Sequence, residues 1–248
     1  MLLEQEIIPY NISNPIGNKV LVLAPHPDDE TLGCGGTLTQ LIESGNCIKV
    51  LFLTSGDKSD PDNQSNHIKY DLPHITDYSI MREDEAKKAL KILSINDYLF
   101  MRQPDRELHF YYKSVETILK IEIEKYKPDT IYSPSPLELN PDHRTCAKLI
   151  IELQREIKDF KIAFYEVTTP LRPNLLVDVT RYFDRKILAL REYKSQLGLI
   201  DYSYYISALN KFRAITVGTA YCESYWIINH PISDEDICNW LCYRTKLI

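Results

Sequence analysis

One stretch of the sequence joins an apolar run to a charged loop and a cluster of glycines, and it narrows the choice of fold. Residues 21–38 read LVLAPHPDDETLGCGGTL. The apolar run at residues 20–24 is short and rich in valine and leucine, which is typical of a buried strand. The charged loop at 26–30 follows, then a glycine-rich turn at 33–36, and then a helical pattern. This order predicts an open α/β sheet, in which ligands bind beyond the carboxyl ends of the strands.

The charged loop holds residues that can bind a metal and move a proton. His26 and Asp29 are three residues apart, and both can ligate a metal such as Zn²⁺ from one tight loop. Asp28 lies between them in the chain. If its carboxylate faces the open position of the metal, it can take a proton from water there. The alternative interpretation is a solvated acidic turn in which a carboxylate caps the next helix.

A second segment offers a further metal ligand. Residues 133–144 read SPSPLELNPDHR and follow a short apolar run at 130–132. A catalytic zinc usually takes three protein ligands, and His143 would be the third. Two strand-end loops that converge on one point are the expected geometry of a doubly wound sheet.

These motifs resemble those of the LmbE/PIG-L family, whose members are metal-dependent N-deacetylases that act mostly on conjugates of N-acetylglucosamine. The resemblance rests on APHPDDE at residues 24–30, on the glycine-rich segment after it, and on PDHR at residues 141–144. Three other segments are weakly similar to family elements: Arg82-Glu83, YKSQ at 193–196 and ESYW at 223–226.

The resemblance implies a specific site and activity. It implies Zn²⁺, or another divalent metal such as Fe²⁺, on His26, Asp29 and His143, with Asp28 as general base. The implied reaction removes the N-acetyl group from an amino sugar or an N-acetylglucosamine-type conjugate. Two alternatives stay open: hydrolysis of another N-acyl amide, and a catalytically weakened homologue that binds a sugar or nucleotide sugar. The predicted fold is one Rossmann-like α/β domain over residues 1–248, with a mostly parallel sheet flanked by helices.

One position departs from the family pattern. The family usually has a histidine three residues before the third ligand, where it helps to stabilise the oxyanion, and this chain has Asn140. An asparagine amide can donate a hydrogen bond to an oxyanion, but it cannot carry a positive charge or relay a proton. Asn140 is also a suitable helix cap before Pro141. Glu138, two residues earlier, is expected to orient a ligand, to act as a second acid–base group or to face solvent.

Three further residues are candidates for contact with the substrate. Arg82 is a cation near a predicted helix start, where the helix dipole makes it mildly unfavourable. We therefore expect it to hold a substrate hydroxyl or phosphate, with a salt bridge to Glu85 or Asp84 as the alternative. Asp57 and Asp105 each follow a predicted strand and would either contact a sugar or cap a turn.

Apolar periodicity predicts the remaining elements. Further strands are expected at 48–54, 97–101, 161–167, 177–179 and 221–228, and helices at 78–93, 114–126, 180–196, 202–212 and from 233. Ser114 is the expected cap of the second of these helices. The polar segment at 58–77 is predicted to be a lid or binding loop, with His67 and His74 at its surface.

Charge and composition exclude several classes of protein. The net charge of −6 argues against a general nucleic-acid binder. No apolar run reaches the roughly 20 residues that span a bilayer, and no signal peptide is evident, so we expect a cytoplasmic protein. The six cysteines form no CxxC pair and are predicted to be buried thiols in a reducing compartment. The tyrosines at 193–205 would pack in the core or between the subunits of a homo-oligomer.

Overall fold

A computed structural model describes residues 11–60, 75–198 and 200–241. The strands are β1 (Asn11–Ile12), β2 (Lys19–Ala24), β3 (Cys47–Thr54), β4 (Asp97–Gln103), β5 (Thr130–Pro134), β6 (Lys161–Tyr165), β7 (Leu175–Asp178) and β8 (Cys222–Ile228). The helices are α1 (Asp29–Glu43), α2 (Asp77–Ile92), α3 (Tyr112–Tyr126), α4 (Pro141–Ile157), α5 (Phe183–Leu190), α6 (Lys194–Leu197), α7 (Tyr202–Ala214) and α8 (Asp234–Leu241).

The strands form one eight-stranded sheet in the order β1-β7-β8-β6-β5-β2-β3-β4. All neighbouring pairs are parallel except those that β8 makes with β6 and with β7. The chain runs outward from β2 to β3 and β4, and then returns to place β5 on the other side of β2. The carboxyl ends of β2 and β5 therefore flank the topological switch point, where ligands bind in open α/β sheets. The predicted fold class is confirmed.

Both faces of the sheet are covered, which explains the continuous apolar sequence of β2. Its odd and even residues enter different cores: Val20 and Val22 belong to one cluster, and Leu21 and Leu23 to the other. All four side chains have no exposed surface. Parallel strands that are buried on both faces lose the alternation of polar and apolar residues for this reason.

The predicted glycine-rich turn is wrong, because the glycines lie inside a helix. Helix α1 begins at Asp29 and continues through Gly33, Gly35 and Gly36. A Cβ on Gly33 would lie 2.1 Å from Cδ2 of Tyr165, and one on Gly36 would lie 2.7 Å from Cβ of Val179. Glycine is therefore required for close packing of the helix against its neighbours.

A buried ion pair fixes the same helix to the sheet. Glu223 of β8 accepts hydrogen bonds from the backbone N–H groups of Gly36 at 3.0 Å and Thr37 at 2.8 Å. Its Oε1 lies 2.6 Å from Nζ of Lys186, and both side chains are fully buried. The ESYW segment thus has a structural role that its sequence did not reveal.

Other predictions for local structure need correction. Helix α3 begins two residues earlier than expected, with Tyr111 at the cap position instead of Ser114. The helix predicted at 180–196 is broken into a short 3-10 turn (Thr180–Tyr182) and the helices α5 and α6. Among the cysteines, Cys47 and Cys238 are exposed, while Cys34, Cys146 and Cys222 are buried. His67, His74 and Cys242 lie outside the described residues.

None of the helices in the described ranges has the length and hydropathy to cross a membrane.

The packing of α1 gives a direct prediction for Gly33. The substitution Gly33→Ala forces a methyl group against the Tyr165 ring, so we expect the free energy of unfolding to fall by about 1–3 kcal/mol. Urea unfolding measures this change. Gly198→Ala is the matched control, because its nearest contact is 3.6 Å, an ordinary van der Waals distance. Equal stability of the two variants would contradict the packing account.

Candidate active site

Three predicted ligand residues meet at the switch point. Nδ1 of His26 lies 3.2 Å from Oδ2 of Asp29 and 3.2 Å from Nε2 of His143. Nε2 of His143 lies 3.1 Å from the same Asp29 oxygen. All three residues are buried; His26 is 7% exposed and His143 is 3% exposed. The three ligand atoms therefore form a nearly equilateral triangle.

The fold produces this triangle from two strand ends and two helix starts. His26 follows β2, Asp29 is the first residue of α1, and His143 lies in the first turn of α4, which follows β5. The backbone N–H of His26 donates to Asp29 Oδ2 at 2.8 Å, so the carboxylate closes its own loop. Because β2 and β5 are neighbouring parallel strands, the loops that follow them begin at the same edge of the sheet.

Carboxylates lie beside the outer nitrogens of both imidazoles. Nε2 of His26 lies 3.1 Å from Oδ1 of Asp105 and 3.2 Å from Oδ2 of Asp142. A proton on Nε2 leaves Nδ1 as the atom with a lone pair toward the triangle. On the other imidazole, Nδ1 of His143 faces Oε2 of Glu138 at 3.7 Å, which places Nε2 at the triangle. Such outer carboxylates orient and strengthen metal-ligating histidines.

The donor set fits a divalent metal. Two imidazole nitrogens and one carboxylate oxygen are the ligands of many catalytic zinc sites, and they leave a position for water or substrate. Tetrahedral coordination at metal–ligand distances of about 2.0–2.1 Å separates the ligand atoms by roughly 3.4 Å, close to the separations of 3.1–3.2 Å in this triangle. Without a cation or a proton, two imidazole nitrogens at this distance would repel each other.

The charges around the triangle shift the pKa values of its members. Burial lowers the pKa of His143, but the carboxylates of Asp29 and Glu138 outweigh it and raise the value to about 9. Burial likewise lowers the pKa of His26, whereas Asp105, Asp142 and Asp29 raise it well above its usual range overall. Burial opposes ionisation of Asp29, yet the two histidines hold its pKa below the usual range. Protons therefore compete with a metal for both imidazoles.

Asp28 is buried beside the triangle in a strained conformation. Its φ is 131° and its ψ is −27°, a region that residues other than glycine rarely adopt. Nη2 of Arg82 donates to Asp28 Oδ2 at 3.0 Å and to the carbonyl of Pro27 at 2.5 Å. Burial raises the pKa of Asp28 to about 7, although the Arg82 cation lowers it.

The alternative prediction for Arg82 was a salt bridge to Glu85 or Asp84, and the structure gives it other partners. Its guanidinium also donates to the carbonyl of Gly56 at 2.9 Å and to Oγ of Ser59 at 3.0 Å, and it forms no salt bridge with Glu85 or Asp84 among the described contacts. It does border the cavity described below, so its contact with a substrate stays a prediction.

Asn140 is a helix cap that also borders the cavity. Its Oδ1 accepts a hydrogen bond from the backbone N–H of Asp142 at 2.8 Å, and Pro141 is the first residue of α4. The cap uses only the oxygen of the amide, so the Nδ2 donors stay available. The two interpretations of Asn140 are therefore compatible.

These residues surround a cavity of about 180 Å³. Its lining residues are His26, Asp28, Asp29, Leu32, Ser59, Arg82, Asp105, Arg106, Asn140, His143, Val167, Thr168, Gln196 and Tyr202.

Two acidic residues that the sequence analysis considered do not line this cavity. Oδ1 of Asp57 accepts a hydrogen bond from the hydroxyl of Ser55 at 2.6 Å, which agrees with the alternative prediction that Asp57 caps a turn. Glu138 lies behind His143, where it accepts backbone hydrogen bonds from residues 167–169.

Several residues of the site were not predicted. Asp142 lies inside the PDHR motif and Arg106 directly follows Asp105, so their neighbours could have indicated them. Thr168 and Tyr202 reach the cavity from loops and helices late in the chain, and no local pattern marks them.

The YKSQ segment packs against the same motif. The hydroxyl of Tyr193 donates to Oε1 of Glu30 at 2.5 Å, and burial raises the pKa of Glu30. Nε2 of Gln196 donates to the hydroxyl of Tyr78 at 2.8 Å and borders the cavity. The YKSQ segment therefore contacts the charged loop through Tyr193 and the cavity through Gln196.

Comparison with known proteins agrees with these motifs. The family model described as PIG-L, GlcNAc-PI de-N-acetylase, matches residues 21–154, more than half of the chain. The chain belongs to the PIG-L family. The match includes the two loops that carry His26, Asp29 and His143.

Named relatives are similar over most of this PIG-L chain. It is 28% identical over 210 residues to the diacetylchitobiose deacetylase of Thermococcus kodakarensis, covering 75% of this chain and 74% of that protein. It is 26% identical over 222 residues to the probable N-acetyl-alpha-D-glucosaminyl L-malate deacetylase 2 of Bacillus cereus, covering 84% and 96%. The solved structure of N,N'-diacetylchitobiose deacetylase from Pyrococcus horikoshii with its inhibitor MPG shares the fold, with a TM-score of 0.73, 24% identity, and coverage of 93% and 94%.

The raised pKa values of the histidines predict a pH dependence of metal binding. Because a metal must displace protons from His26 and His143, its apparent affinity should rise as the pH increases from about 6 to 9, with proton release on binding. Calorimetric titration with Zn²⁺ in buffers of different ionisation enthalpy measures both quantities. His230→Ala, at an exposed histidine outside the cavity lining, should leave the affinity unchanged. A pH-independent affinity would contradict this account.

The strained backbone of Asp28 predicts a difference between two variants. Asp28→Ala and Asp28→Gly both remove the carboxylate that faces Arg82, but only glycine tolerates a φ of 131° without strain. We expect the glycine variant to be more stable than the alanine variant by about 1–3 kcal/mol in urea unfolding. A more stable alanine variant would show that the backbone is unstrained there.

Proposed function

We propose that this protein is a metal-dependent N-deacetylase that hydrolyses the acetamide of an N-acetylated amino sugar or of its conjugate. The observation that carries the proposal is the triangle of His26, Asp29 and His143 with the buried carboxylate of Asp28 beside it. The names of the similar deacetylases support the same reaction and the same class of substrate.

The three residues of the triangle would hold Zn²⁺ or Fe²⁺. A divalent cation in such a site supplies Lewis-acid polarisation of the amide carbonyl and lowers the pKa of water. Asp105 and Asp142 keep a proton on Nε2 of His26, and Glu138 faces Nδ1 of His143. Asp105 and Asp142 thus hold the imidazole of His26 in the orientation that ligation needs, and the charge of Glu138 favours a proton on Nδ1 of His143.

Asp28 is the proposed proton carrier. Arg82 engages its Oδ2, so Oδ1 is the atom that accepts a proton from the attacking water. The oxygen of that water forms a bond to the acetamide carbon. Asp28 then returns the proton to the nitrogen as the C–N bond breaks, which yields acetate and a free amine. In the metal-free protein, burial raises the pKa of Asp28 to about 7. A cation on the triangle would lower this pKa and so favour the ionised carboxylate that a general base needs.

Asn140 is the proposed donor to the oxyanion. Its Oδ1 is held by the backbone of α4, which fixes the amide plane and leaves Nδ2 available to donate. A donor that is held in place before the reaction stabilises developing charge without reorganisation.

A strained, buried general base favours catalysis over simple ligand binding. Strained backbone persists at functional sites where the surrounding structure determines it. A protein that only bound a sugar would gain nothing from the conformation of Asp28.

The activity test measures bound metal and released acetate together. Wild-type protein loaded with Zn²⁺ or Fe²⁺ is assayed on N-acetylglucosamine conjugates and on a panel of other acyl amides. We expect Asp28→Asn to keep the metal and lose roughly 10²–10⁴-fold in kcat, and His143→Ala to lose both metal and activity. His230→Ala serves as the control. Near-normal turnover of Asp28→Asn, or the absence of metal after loading, would overturn the proposal.

The double role of Asn140 can be separated by substitution. An aspartate at this position would still cap α4 but could not donate to an oxyanion, so Asn140→Asp should keep its stability within about 0.5 kcal/mol and lose roughly 10²–10³-fold in kcat. Asn140→Ala should lose both activity and about 0.5–2 kcal/mol of stability. Urea unfolding and steady-state kinetics measure the two effects. If Asn140→Asp retains full kcat, Asn140 is only a cap.

A further inference from the structure

Two arginines border the cavity, and they differ in how their charge is used. Arg82 is buried, and its guanidinium is occupied by Asp28, Ser59 and two backbone carbonyls. Arg106 is exposed at the cavity. Within residues 11–60, 75–198 and 200–241, its guanidinium has no hydrogen bond or ion pair. Arg106 is thus a cation at the site that is available to a ligand.

The backbone of Arg106 is strained. Its φ is 61°, in the left-handed region that glycine adopts freely and other residues adopt at a cost. Lys127 and Lys158 share this conformation, but each is the C-cap of a helix, where it is common. Arg106 ends no helix. Among the non-glycine residues described with positive φ, only Asp28 and Arg106 border the cavity.

Two carboxylates fix the main chain of Arg106 to the metal-ligand triangle. The backbone N–H of Arg106 donates to Oδ2 of Asp142 at 2.6 Å, and the same oxygen lies 3.2 Å from Nε2 of His26. The preceding residue, Asp105, contacts the same imidazole nitrogen at 3.1 Å. The start of the Arg106 side chain is therefore held in place before a ligand binds. Glycine at this position would relieve the strain, and strained residues are frequent at functional sites.

The cavity is too small to enclose a whole sugar conjugate, so part of such a substrate lies outside it. Pockets that enclose a drug-sized ligand usually have volumes of about 300–1,000 Å³, and this cavity has about 180 Å³. It can admit the acetamide and part of one sugar ring. The remainder of a conjugate must extend out of the cavity, and Arg106 and Thr168 are the exposed residues among its lining.

We propose that the substrate carries an anionic group, a carboxylate or a phosphate, and that Arg106 binds this group at the cavity mouth. The inference rests on the proposed deacetylase function and specifies its substrate. A guanidinium offers donors in a planar fork that matches both oxyanions bidentately. In this proposal Arg106 determines substrate specificity and takes no part in the hydrolysis of the amide.

The test compares anionic and neutral substrates in matched variants. The substrates are N-acetylglucosamine 1-phosphate, an N-acetylglucosaminide with a carboxylate-bearing aglycone, and neutral N,N'-diacetylchitobiose. For the anionic substrate that the wild type prefers, Arg106→Ala should lower kcat/KM by about 10- to 100-fold, mainly through KM. Diacetylchitobiose should change by less than about twofold. Whichever anionic substrate is affected identifies the oxyanion as phosphate or carboxylate.

Three controls separate recognition from folding. Arg106→Gly removes the strain, so it should melt no lower than the wild type and still show the kinetic loss of Arg106→Ala. Arg106→Lys should lose less, because it keeps a point charge. Arg181→Ala, at an exposed arginine outside the cavity lining, should match the wild type. The wild-type preference for the anionic substrate should also weaken with added salt.

The outcomes distinguish this inference from the proposed function. If the wild type deacetylates sugars and Arg106→Ala affects all substrates equally or none of them, the inference is overturned and the function stands. If no acetylated sugar is hydrolysed, calorimetry with N-acetylglucosamine 1-phosphate and with the carboxylate glycoside decides. Weaker binding by Arg106→Ala then supports anion recognition, and equal or absent binding overturns it.

Discussion

A single carboxylate oxygen joins the two halves of the site. Oδ2 of Asp29 accepts from the backbone N–H of His26 and lies within 3.2 Å of ring nitrogens of His26 and His143. The loops that follow β2 and β5 are thereby drawn together at the switch point of the sheet. The candidate metal site depends on this convergence, because its three ligand atoms come from these two loops.

The three successive acids of the charged loop share one environment and differ in their partners. Asp28 faces Arg82, Asp29 faces the two histidines, and Glu30 accepts from Tyr193. Burial raises the pKa of Asp28 and of Glu30, whereas the histidines hold that of Asp29 low. Partners from distant elements thus give neighbouring carboxylates different pKa values, as is common in catalytic sites.

The sequence predicted the parts of the site that follow from strand ends. His26, Asp29 and His143 were predicted because each belongs to a short motif after a buried strand, and parallel strands deliver such motifs to one edge. The partner of Arg82 could not be predicted, since Asp28 lies far from it in the chain. The helix dipole argument does not explain Arg82, because the helix begins at Asp77 and Arg82 lies beyond its first turn.

Local rules failed where tertiary packing overrides them. Glycines at Gly33 and Gly36 suggested a turn, yet they lie in a helix. These positions need glycine because Tyr165 and Val179 pack where a side chain would be. The predicted helix at 180–196 satisfied its apolar pattern but is interrupted after Leu190. Asp57 had the residue type of a ligand-binding group, whereas its side chain turns to Ser55. Such outcomes depend on contacts between distant segments that no local pattern encodes.

X-ray absorption spectroscopy of the zinc-loaded protein can show whether His26, Asp29 and His143 are the metal ligands. If His26, Asp29 and His143 bind the metal, the spectrum should fit two imidazole nitrogens together with oxygen ligands, and no sulfur. The histidine scattering should fall by half when one of the two imidazoles is replaced and the metal is restored at high concentration. Sulfur ligands, or a shell without histidine, would show that the metal binds elsewhere and would contradict the account.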